Sequence, residues 1–598
     1  MQTYLVIDNP TVIPLSALGV VDASGSTISD NQLLNMALAK LSENDFRTGY
    51  AIKRSNDFVN EYPRKDDKGL DFPGTVEDPN IWLASFPTLF PYGQGGIEIT
   101  RVRKVTLAAH AKWALEYFDK RFRKHLQFMF QAFGILQKRQ IAASTGLQIR
   151  RKDFNNHEQR IRSLTSNDLL DAAQEEAKKI PFSNPAVNDL RRHLSAIRAK
   201  VMGTDESRIK IRAQIWSTTV IYGPPSLWIT INPSDTNDPI AQVIAGSDID
   251  LDDFVNSDGP QSDSRTAIIA ADPYAASKFF HFIIDIILEE LFGIKGCSSQ
   301  NRSIQRKDGI FGRVSQYIGT VEAQGRGTLH FHMILWLEGA PTAEKMRELL
   351  GKKSFRSRVA DFIATNIKAD IYGHGAQTIT DIPRQNAVSY SRPVDPRSHD
   401  YNLARLEAEK KLVRSLQIHR CSKEACLVLK KNGYRCKRNA PFKLSTSDYI
   451  NENGSWGPKR TYGYVNNWNP TIMQCVRSNH DIKLISNGTE TKDIAWYITN
   501  YVAKKQRESS NVSALVAKRI AYHREEEKYN TDIQQINKKL LQRCANTLSR
   551  EQEFSSPEVA SYLCGHGDQK LSANYTPIFM NSIGARIFKA FPNLKLNK

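Results

Sequence analysis

Cysteine and long apolar stretches are both scarce in this sequence. The 598 residues include only 7 cysteines, too few for the disulfide framework that stabilises small secreted domains. No apolar run reaches the roughly 18 residues that a bilayer-spanning helix needs, and the first five residues carry no basic side chain of the kind that opens a signal peptide. We therefore expect a protein of a reducing compartment with no membrane partner.

Two recurrent patterns are also missing. No segment has the G-x-x-x-x-G-K-[ST] form of the loop that cradles nucleotide phosphates, so we expect no helicase or ATPase activity from this chain. No internal repeat or long low-complexity tract is present, which argues against repeat architectures. A chain of this length predicts about three to four domain-sized units.

Positive charge is present in excess. The chain carries 82 lysines and arginines against 63 acidic residues, a net charge of +19. Such an excess favours a polyanionic partner, because each phosphate that a basic side chain neutralises releases condensed counterions. The segment 96–215 has a helical and basic pattern, and within it Arg121, Arg123 and Lys124 are candidate DNA contacts. The alternative is a solvated basic helix face that binds nothing.

One apolar segment has clear helix signals. Asp272 is a candidate N-cap and Pro273 suits the first helical position. Apolar residues follow at helical spacing up to a stop near Gly293: Phe279, Phe282, Ile283, Ile286 and Ile287. We interpret this helix as a packing element with no chemical role.

The segment 317–337 places two histidines one residue apart on a predicted strand. Because strand side chains alternate, His330 and His332 share one face, while Phe331, Met333 and Leu335 face the opposite way into a core. Two neutral imidazoles on one face can reach the same divalent ion. The alternative is a histidine pair on an ordinary half-exposed strand.

A third ligand is expected from the preceding strand. Gln324 to Gly327 is typical of a hairpin turn, and such a turn folds Glu322 and Gln324 back towards the histidines. An added carboxylate or amide oxygen favours Mg²⁺ or Mn²⁺ over a structural zinc site. Glu322 is the preferred third ligand, and Gln324, which has the same strand parity, competes for the position.

A second cluster of metal-binding residue types lies downstream. His419, Cys421, Cys426 and Cys436 follow an H-x-C-x4-C-x9-C pattern. Four thiolate and imidazole ligands at this spacing suit tetrahedral Zn²⁺ and leave no position for a substrate. The alternative is three buried cysteines beside an unrelated histidine.

The segment 492–505 reads as a helix because few residues in it break helical structure. Tyr497 and Tyr501 then stand one turn apart on the same face, followed by Lys504 and Lys505. Taken alone, a tyrosine pair at this spacing is more often packing than chemistry.

Together, the two histidines and the two tyrosines resemble the HUH endonucleases of the two-tyrosine kind. Residues 319–337 and 496–504 are similar in sequence to the Rep nuclease of Helitron rolling-circle transposons. Residues 225–233, an apolar strand with Thr230 and Asn232 near its end, resemble the first Rep motif, and 86–93 with 117–125 resemble the helical region before the Rep core. The resemblance covers roughly residues 80 to 580.

The resemblance implies an α+β fold, with an HUH-type antiparallel sheet flanked by helices, a helical N-terminal region and a small zinc-binding insertion. The expected segments are 1–95, of no assigned role; 96–215, a helical basic region; 216–345, the Rep core with the histidine motif; 346–450, a linker and zinc-binding insertion; 451–510, the rest of the core with the tyrosine helix; and 511–598, a C-terminal helical region.

The implied activity is metal-dependent nicking and strand transfer of single-stranded DNA at transposon ends, through a 5′-phosphotyrosine. Tyr497 and Tyr501 would be the nucleophiles, in an order that the sequence leaves open, and Lys504 would hold the phosphate, with Lys505 on the DNA. Helitron transposases normally join such a nuclease to a helicase, which would come from another chain or from a missing C-terminal part. A nuclear location is also implied. The alternatives are a catalytically silent DNA-binding protein and a plasmid or viral replication initiator.

Overall fold

The computed structural model describes residues 81–576 and residue 590, apart from 98–101, 104, 150–159, 162, 296–304, 325–326, 424–425, 431–432, 487–510 and 526–532. The helices are α1 (Ile81–Ser85), α2 (Leu107–Glu116), α3 (Leu126–Ile149), α4 (Ser166–Lys178), α5 (Pro185–Arg198), α6 (Asp205–Tyr222), α7 (Pro239–Ala245), α8 (Ser262–Ala270), α9 (Pro273–Ile286), α10 (Ala343–Leu350), α11 (Lys353–Asn366), α12 (Tyr401–Leu416), α13 (Pro470–Val476), α14 (Val512–Glu525), α15 (Ile533–Arg550) and α16 (Ser556–Leu563).

The strands are short except for the central hairpin. They are β1 (Leu227–Asn232), β2 (Ile294–Lys295), β3 (Gln305–Arg306), β4 (Asp308–Gly309), β5 (Gly312–Ala323), β6 (Leu329–Leu337), β7 (Leu427–Lys430), β8 (Gly433–Cys436), β9 (Tyr449–Ile450), β10 (Trp456–Gly457), β11 (Asn479–Leu484) and β12 (Gln569–Leu571).

A six-stranded antiparallel sheet organises the described chain. Five strands lie in the order β11-β1-β6-β5-β12, and β4 pairs with the start of β5. The β5–β6 hairpin turns where the sequence predicts, because the Gln324 N–H donates to the Thr328 carbonyl at 3.0 Å and the Gly327 N–H donates to the Gln324 carbonyl at 2.6 Å. Strands that are far apart in the sequence therefore become neighbours around this hairpin.

The sheet has one continuous apolar face. The predicted inward orientation of Phe331, Met333 and Leu335 is confirmed, since all three lie in the main core with residues of β1 and α9. Gly319 in β5 leaves room for the Phe331 ring, which a Cβ atom there would approach to 2.2 Å. Part of the opposite face is also apolar, and α6 packs on it in the cluster Ile211, Ile215, Trp228, Ile318, Ile334, Trp336 and Ile485.

Helix α9 begins as its sequence predicts and buries part of the predicted apolar set. The Asp272 carboxylate accepts a hydrogen bond from the Ala275 N–H at 3.0 Å, and Pro273 occupies the first turn. Of the five apolar residues, Phe279 and Ile287 are buried and Ile283 packs against the core, whereas Phe282 and Ile286 are 47% and 40% exposed. The buried side chains that reach the sheet core are Phe280, Ile284, Ile287 and Leu288, the last two in a π-helical turn after α9.

Helices from both ends of the described chain share their cores. Helices α1, α2 and α3 pack with α16 in one apolar cluster. Helices α4 and α5 pack with α14 and α15 in another, together with the second half of α3. The sheet is therefore accompanied by a helical body built from segments on either side of it in the sequence.

The architecture is a mixed α and β fold with an antiparallel sheet and helices, as the sequence predicts at that level. None of the helices in the described residues combines the length and apolar character that crossing a bilayer requires. The expected segment boundaries remain a prediction.

Candidate functional site

Polar side chains gather on the sheet face opposite the apolar core. The register pairs Glu322 with His330 and Thr320 with His332 across β5 and β6, and Thr230 with His332 across β1 and β6. Because His330 and His332 are two residues apart in one strand, they point to the same side. Both are buried, at 8% and 4% exposure. We call His330, His332 and Glu322 the paired-histidine site.

His332 is held on both of its ring nitrogens. Its Nδ1 lies 3.0 Å from Oγ1 of Thr230, and its Nε2 lies 3.2 Å from Oε2 of Glu322. The Trp228 ring stacks on the imidazole, with ring centres 5.8 Å apart and planes inclined by 18°. These three contacts fix the orientation of the ring and direct its Nε2 towards the carboxylate.

His330 has a matching arrangement one step along the strand. Its Nδ1 is hydrogen-bonded to Oδ1 of Asn232 at the end of β1, and its Nε2 lies 3.3 Å from Oγ1 of Thr328. Burial, reinforced by repulsion from His332 and from Arg438, lowers the pKa of His330 to about 4 against a smaller opposing effect of Glu322. The imidazole is therefore neutral near pH 7, as a metal ligand must be.

The two candidates for the third ligand differ in position. Glu322 lies within β5, is partly buried and reaches the His332 ring. Gln324 follows the end of β5, where its backbone closes the hairpin, and is exposed. The geometry favours Glu322 as the partner of the histidines, and the ligand role of either residue remains a prediction.

The four residues of the second predicted metal site come together. Nε2 of His419 lies 3.3 Å from Sγ of Cys421, 3.5 Å from Sγ of Cys426 and 3.3 Å from Sγ of Cys436. All four ligand atoms lie within 4.8 Å of one another. We call these residues the His/Cys cluster, and it could bind a metal ion such as zinc.

Local structure explains how the His/Cys cluster assembles. The β7–β8 hairpin begins immediately after Cys426 and ends at Cys436, and the Lys437 N–H donates to the Cys426 carbonyl at 2.8 Å. The His419 N–H donates to the Tyr464 carbonyl at 2.7 Å, which places the imidazole over the hairpin base. Burial raises the pKa of the Cys436 thiol, but hydrogen bonds from the N–H groups of Ala440 and Arg438, together with those from the Cys421 and Cys426 side chains, leave that pKa below its ordinary value.

The two sites differ in compactness. In the His/Cys cluster, the four ligand atoms all lie within 4.8 Å of one another. No other group of three or more histidine, cysteine or carboxylate side chains in the described residues is as close together. The ligand atoms of the paired-histidine site are more widely spaced. Its donor types nevertheless fit a divalent ion that prefers nitrogen and carboxylate oxygen, since it joins two imidazoles to one carboxylate.

The predicted nucleophiles cannot be placed. Tyr497, Tyr501, Lys504 and Lys505 lie outside the described residues, which stop at 486 and resume at 511.

The predicted DNA contacts near α3 have different surroundings. Lys124 is exposed, and Arg121 is partly buried in an ion pair with Asp119. Arg123 is 6% exposed and forms an ion pair with Asp272 at 2.7 Å. A guanidinium enclosed in this way holds α9 in place and is not presented to a phosphate, so the geometry does not fit the DNA contact expected of Arg123.

Some residues next to the paired-histidine site are difficult to predict from the sequence. Thr230 and Asn232 are polar residues on the otherwise apolar strand β1, and their alternation could have identified them as ring-orienting groups. Asn479 and Asp481 join the same face only because β11 pairs with β1, at Asn232 and Thr230 respectively. No local pattern predicts that pairing.

A family model matches the central part of the chain. Residues 110–335 match a family model described as the Helitron helicase-like domain at the N-terminus. No curated protein matches the chain. The resemblance to Helitron proteins is therefore confirmed over this segment, which includes β1, β5 and both histidines of β6. The His/Cys cluster and both tyrosines lie beyond it.

Proposed function

We propose that this protein is a metal-dependent nickase and strand transferase of single-stranded DNA, from a Helitron-like rolling-circle element. One observation carries the proposal: His330 and His332 lie side by side as oriented imidazoles beside Glu322, within the segment that matches the Helitron domain. Each ring has a hydrogen-bonding partner at Nδ1, Thr230 for His332 and Asn232 for His330, which is the arrangement that orients metal-ligating histidines.

The three residues of the paired-histidine site would hold Mg²⁺ or Mn²⁺. When bound, such an ion polarises the scissile phosphate and stabilises charge on the leaving oxygen. Glu322 supplies the anionic oxygen that a hard cation prefers, and the imidazoles of His330 and His332 complete the protein ligands.

The covalent step is assigned to Tyr497 or Tyr501. The phenol loses its proton, and its oxygen bonds to phosphorus while the bond to the 3′ oxygen breaks. That oxygen takes up a proton and leaves as a 3′-hydroxyl, so the 5′ end remains on the protein as a phosphotyrosine. Because one phosphodiester replaces another, the bond can later be transferred to a second strand. Lys504 would neutralise the phosphate during this exchange.

DNA affinity would come from basic surface distributed over the chain. Lys124 and Arg121 contribute from the segment before α3, and Lys505 is proposed from the tyrosine segment. Exposed basic residues also surround the His/Cys cluster: Arg435, Lys437 and Arg438. Contacts of this kind bind phosphates without reading sequence, and they depend steeply on salt concentration. Duplex opening is assigned to a helicase partner.

The proposal is tested with end-labelled single-stranded DNA. In Mn²⁺, wild-type protein should form a protein-linked product that survives a denaturing gel, and EDTA should abolish it. His330→Ala and His332→Ala should abolish the product while DNA binding persists, because most affinity comes from phosphate contacts elsewhere.

Two results would redirect the assignment. Undiminished cleavage in EDTA would contradict the metal site. DNA binding without any adduct, in protein with its metal sites loaded, would favour the silent DNA-binding alternative.

A further inference from the structure

A chain of amide hydrogen bonds runs from the paired-histidine site to Leu416 and Gln417, just before the His/Cys cluster in the sequence. The Asn232 amide nitrogen Nδ2 donates to Oδ1 of Asn479 at 2.7 Å. The Asn479 Nδ2 donates to the Leu416 carbonyl at 2.8 Å and to Oε1 of Gln417 at 3.0 Å. Gln417 is fully buried and stands two positions before His419 in the sequence. The paired-histidine site is thus linked through β1 and β11 to the segment that leads into the His/Cys cluster.

The Leu416 carbonyl determines which group donates and which accepts at each step of this series of hydrogen bonds. A backbone carbonyl can only accept, so Asn479 must present its amide nitrogen to it and its oxygen to Asn232. Asn232 must then donate to Asn479 and turn its own oxygen towards His330. A carboxamide oxygen also can only accept, so the proton of neutral His330 belongs on Nδ1 and the lone pair on Nε2.

The position of Arg438 also indicates that the two candidate metal sites lie near each other. The Arg438 N–H donates to Sγ of Cys436 at 3.3 Å, which fixes its backbone to the cluster. Its positive charge contributes to lowering the pKa of both His419 and His330, in each case after the larger effect of burial.

We propose that Asn479 is a positioning residue that holds His330 in the tautomer needed for metal binding, anchored by the segment that leads into the His/Cys cluster. The inference rests on the proposed function for the identity of the metal site. Orienting partners of ligating histidines contribute about 10- to 100-fold to metal affinity in other proteins. Without the anchor, the Asn232 amide can turn over, present its nitrogen to His330 and favour a proton on Nε2, where it competes with the metal.

The test measures Mn²⁺ binding by electron paramagnetic resonance on zinc-loaded full-length protein. Asn479→Leu removes the amide at similar volume, and Asn479→Ala removes it with less bulk. Each should weaken Mn²⁺ binding about 10- to 100-fold. Asn232→Asp in the same background should restore binding, because a carboxylate only accepts and fixes the proton on Nδ1 without help. Zinc content and thermal unfolding report whether each variant remains folded.

The outcomes separate the two proposals. Wild-type affinity in a folded Asn479 variant would overturn the role of Asn479 while leaving the nuclease proposal intact. Weak binding that Asn232→Asp does not restore would show that the loss is structural, and would also overturn it. No Mn²⁺ bound by the wild type, or binding unchanged in His330→Ala, would overturn the metal site and this inference together.

Discussion

Replacing Thr230 by valine isolates the hydrogen bond that orients His332. The two side chains have nearly the same shape, so the change removes only the Oγ1 atom that lies 3.0 Å from Nδ1 of His332. A metal on Nε2 requires a proton on Nδ1, and Thr230 is the acceptor for it. His332 is 4% exposed, so water cannot readily replace the hydroxyl.

The expected loss follows from the cost of an unsatisfied buried donor. Leaving the Nδ1–H group without its acceptor costs about 1–3 kcal/mol, which corresponds to about 5- to 150-fold in Mn²⁺ affinity. The cost falls on metal binding, so cleavage at saturating Mn²⁺ should largely recover. Thr230→Ser, which keeps a hydroxyl at the same position, is the matched control and should stay within a few-fold of wild type.

The assay is cleavage of labelled single-stranded DNA across a Mn²⁺ titration, with direct binding measured on the same proteins. Equal metal dependence in Thr230→Val, Thr230→Ser and wild type would refute the orienting role of the hydroxyl. A loss in Thr230→Val that saturating metal does not recover would place the defect in folding or DNA contact.

Three further predictions concern the ligands, the His/Cys cluster and pH. Glu322→Ala should cost more cleavage than Gln324→Ala at limiting Mn²⁺, and the reverse order would move the third ligand to Gln324. Purified protein should contain about one zinc per chain, and Cys421→Ser should lower its thermal stability because metal binding contributes to folding; metal analysis without zinc would contradict this. Burial lowers the pKa of His330 and of His480 to about 4. Between pH 6.5 and pH 4, these two histidines therefore bind protons in the unfolded chain but not in the folded one. Each histidine should therefore contribute about 3 kcal/mol of stability that is fully present above pH 6.5 and lost towards pH 4. Burial raises the pKa of Asp235 and of Asp238 to about 6, which has the opposite effect in the same range, so the measurement is the difference in unfolding free energy between wild type and His480→Gln. A difference that stays constant between pH 7 and pH 4 would contradict the prediction.

Period-two alternation predicted the β6 geometry well. A strand permits only two orientations, so placing Phe331 in the core fixes His330 and His332 on the other face. The His/Cys cluster was equally accessible from the sequence, because its ligands fall within a short segment whose hairpin closes on itself.

The helix face and the distant neighbours could not be predicted in the same way. Helix α9 is apolar on most sides, so spacing alone could not choose between Phe282, which is exposed, and Phe280, which is buried. Asn479 meets Asn232 only through a pairing of strands far apart in the sequence. Arg123 appeared as surface charge because its partner, Asp272, lies far along the chain.

The most direct test of the central claim is to locate the covalent bond between protein and DNA. Adduct formed in Mn²⁺ is digested with nuclease and protease, and the modified peptide is sequenced by mass spectrometry. We expect a nucleotide 5′-phosphate on Tyr497 or Tyr501, a single Phe substitution that removes most simple nicking, and no adduct in the doubly substituted protein. Adduct at another residue, or adduct that persists when both tyrosines are phenylalanine, would contradict it.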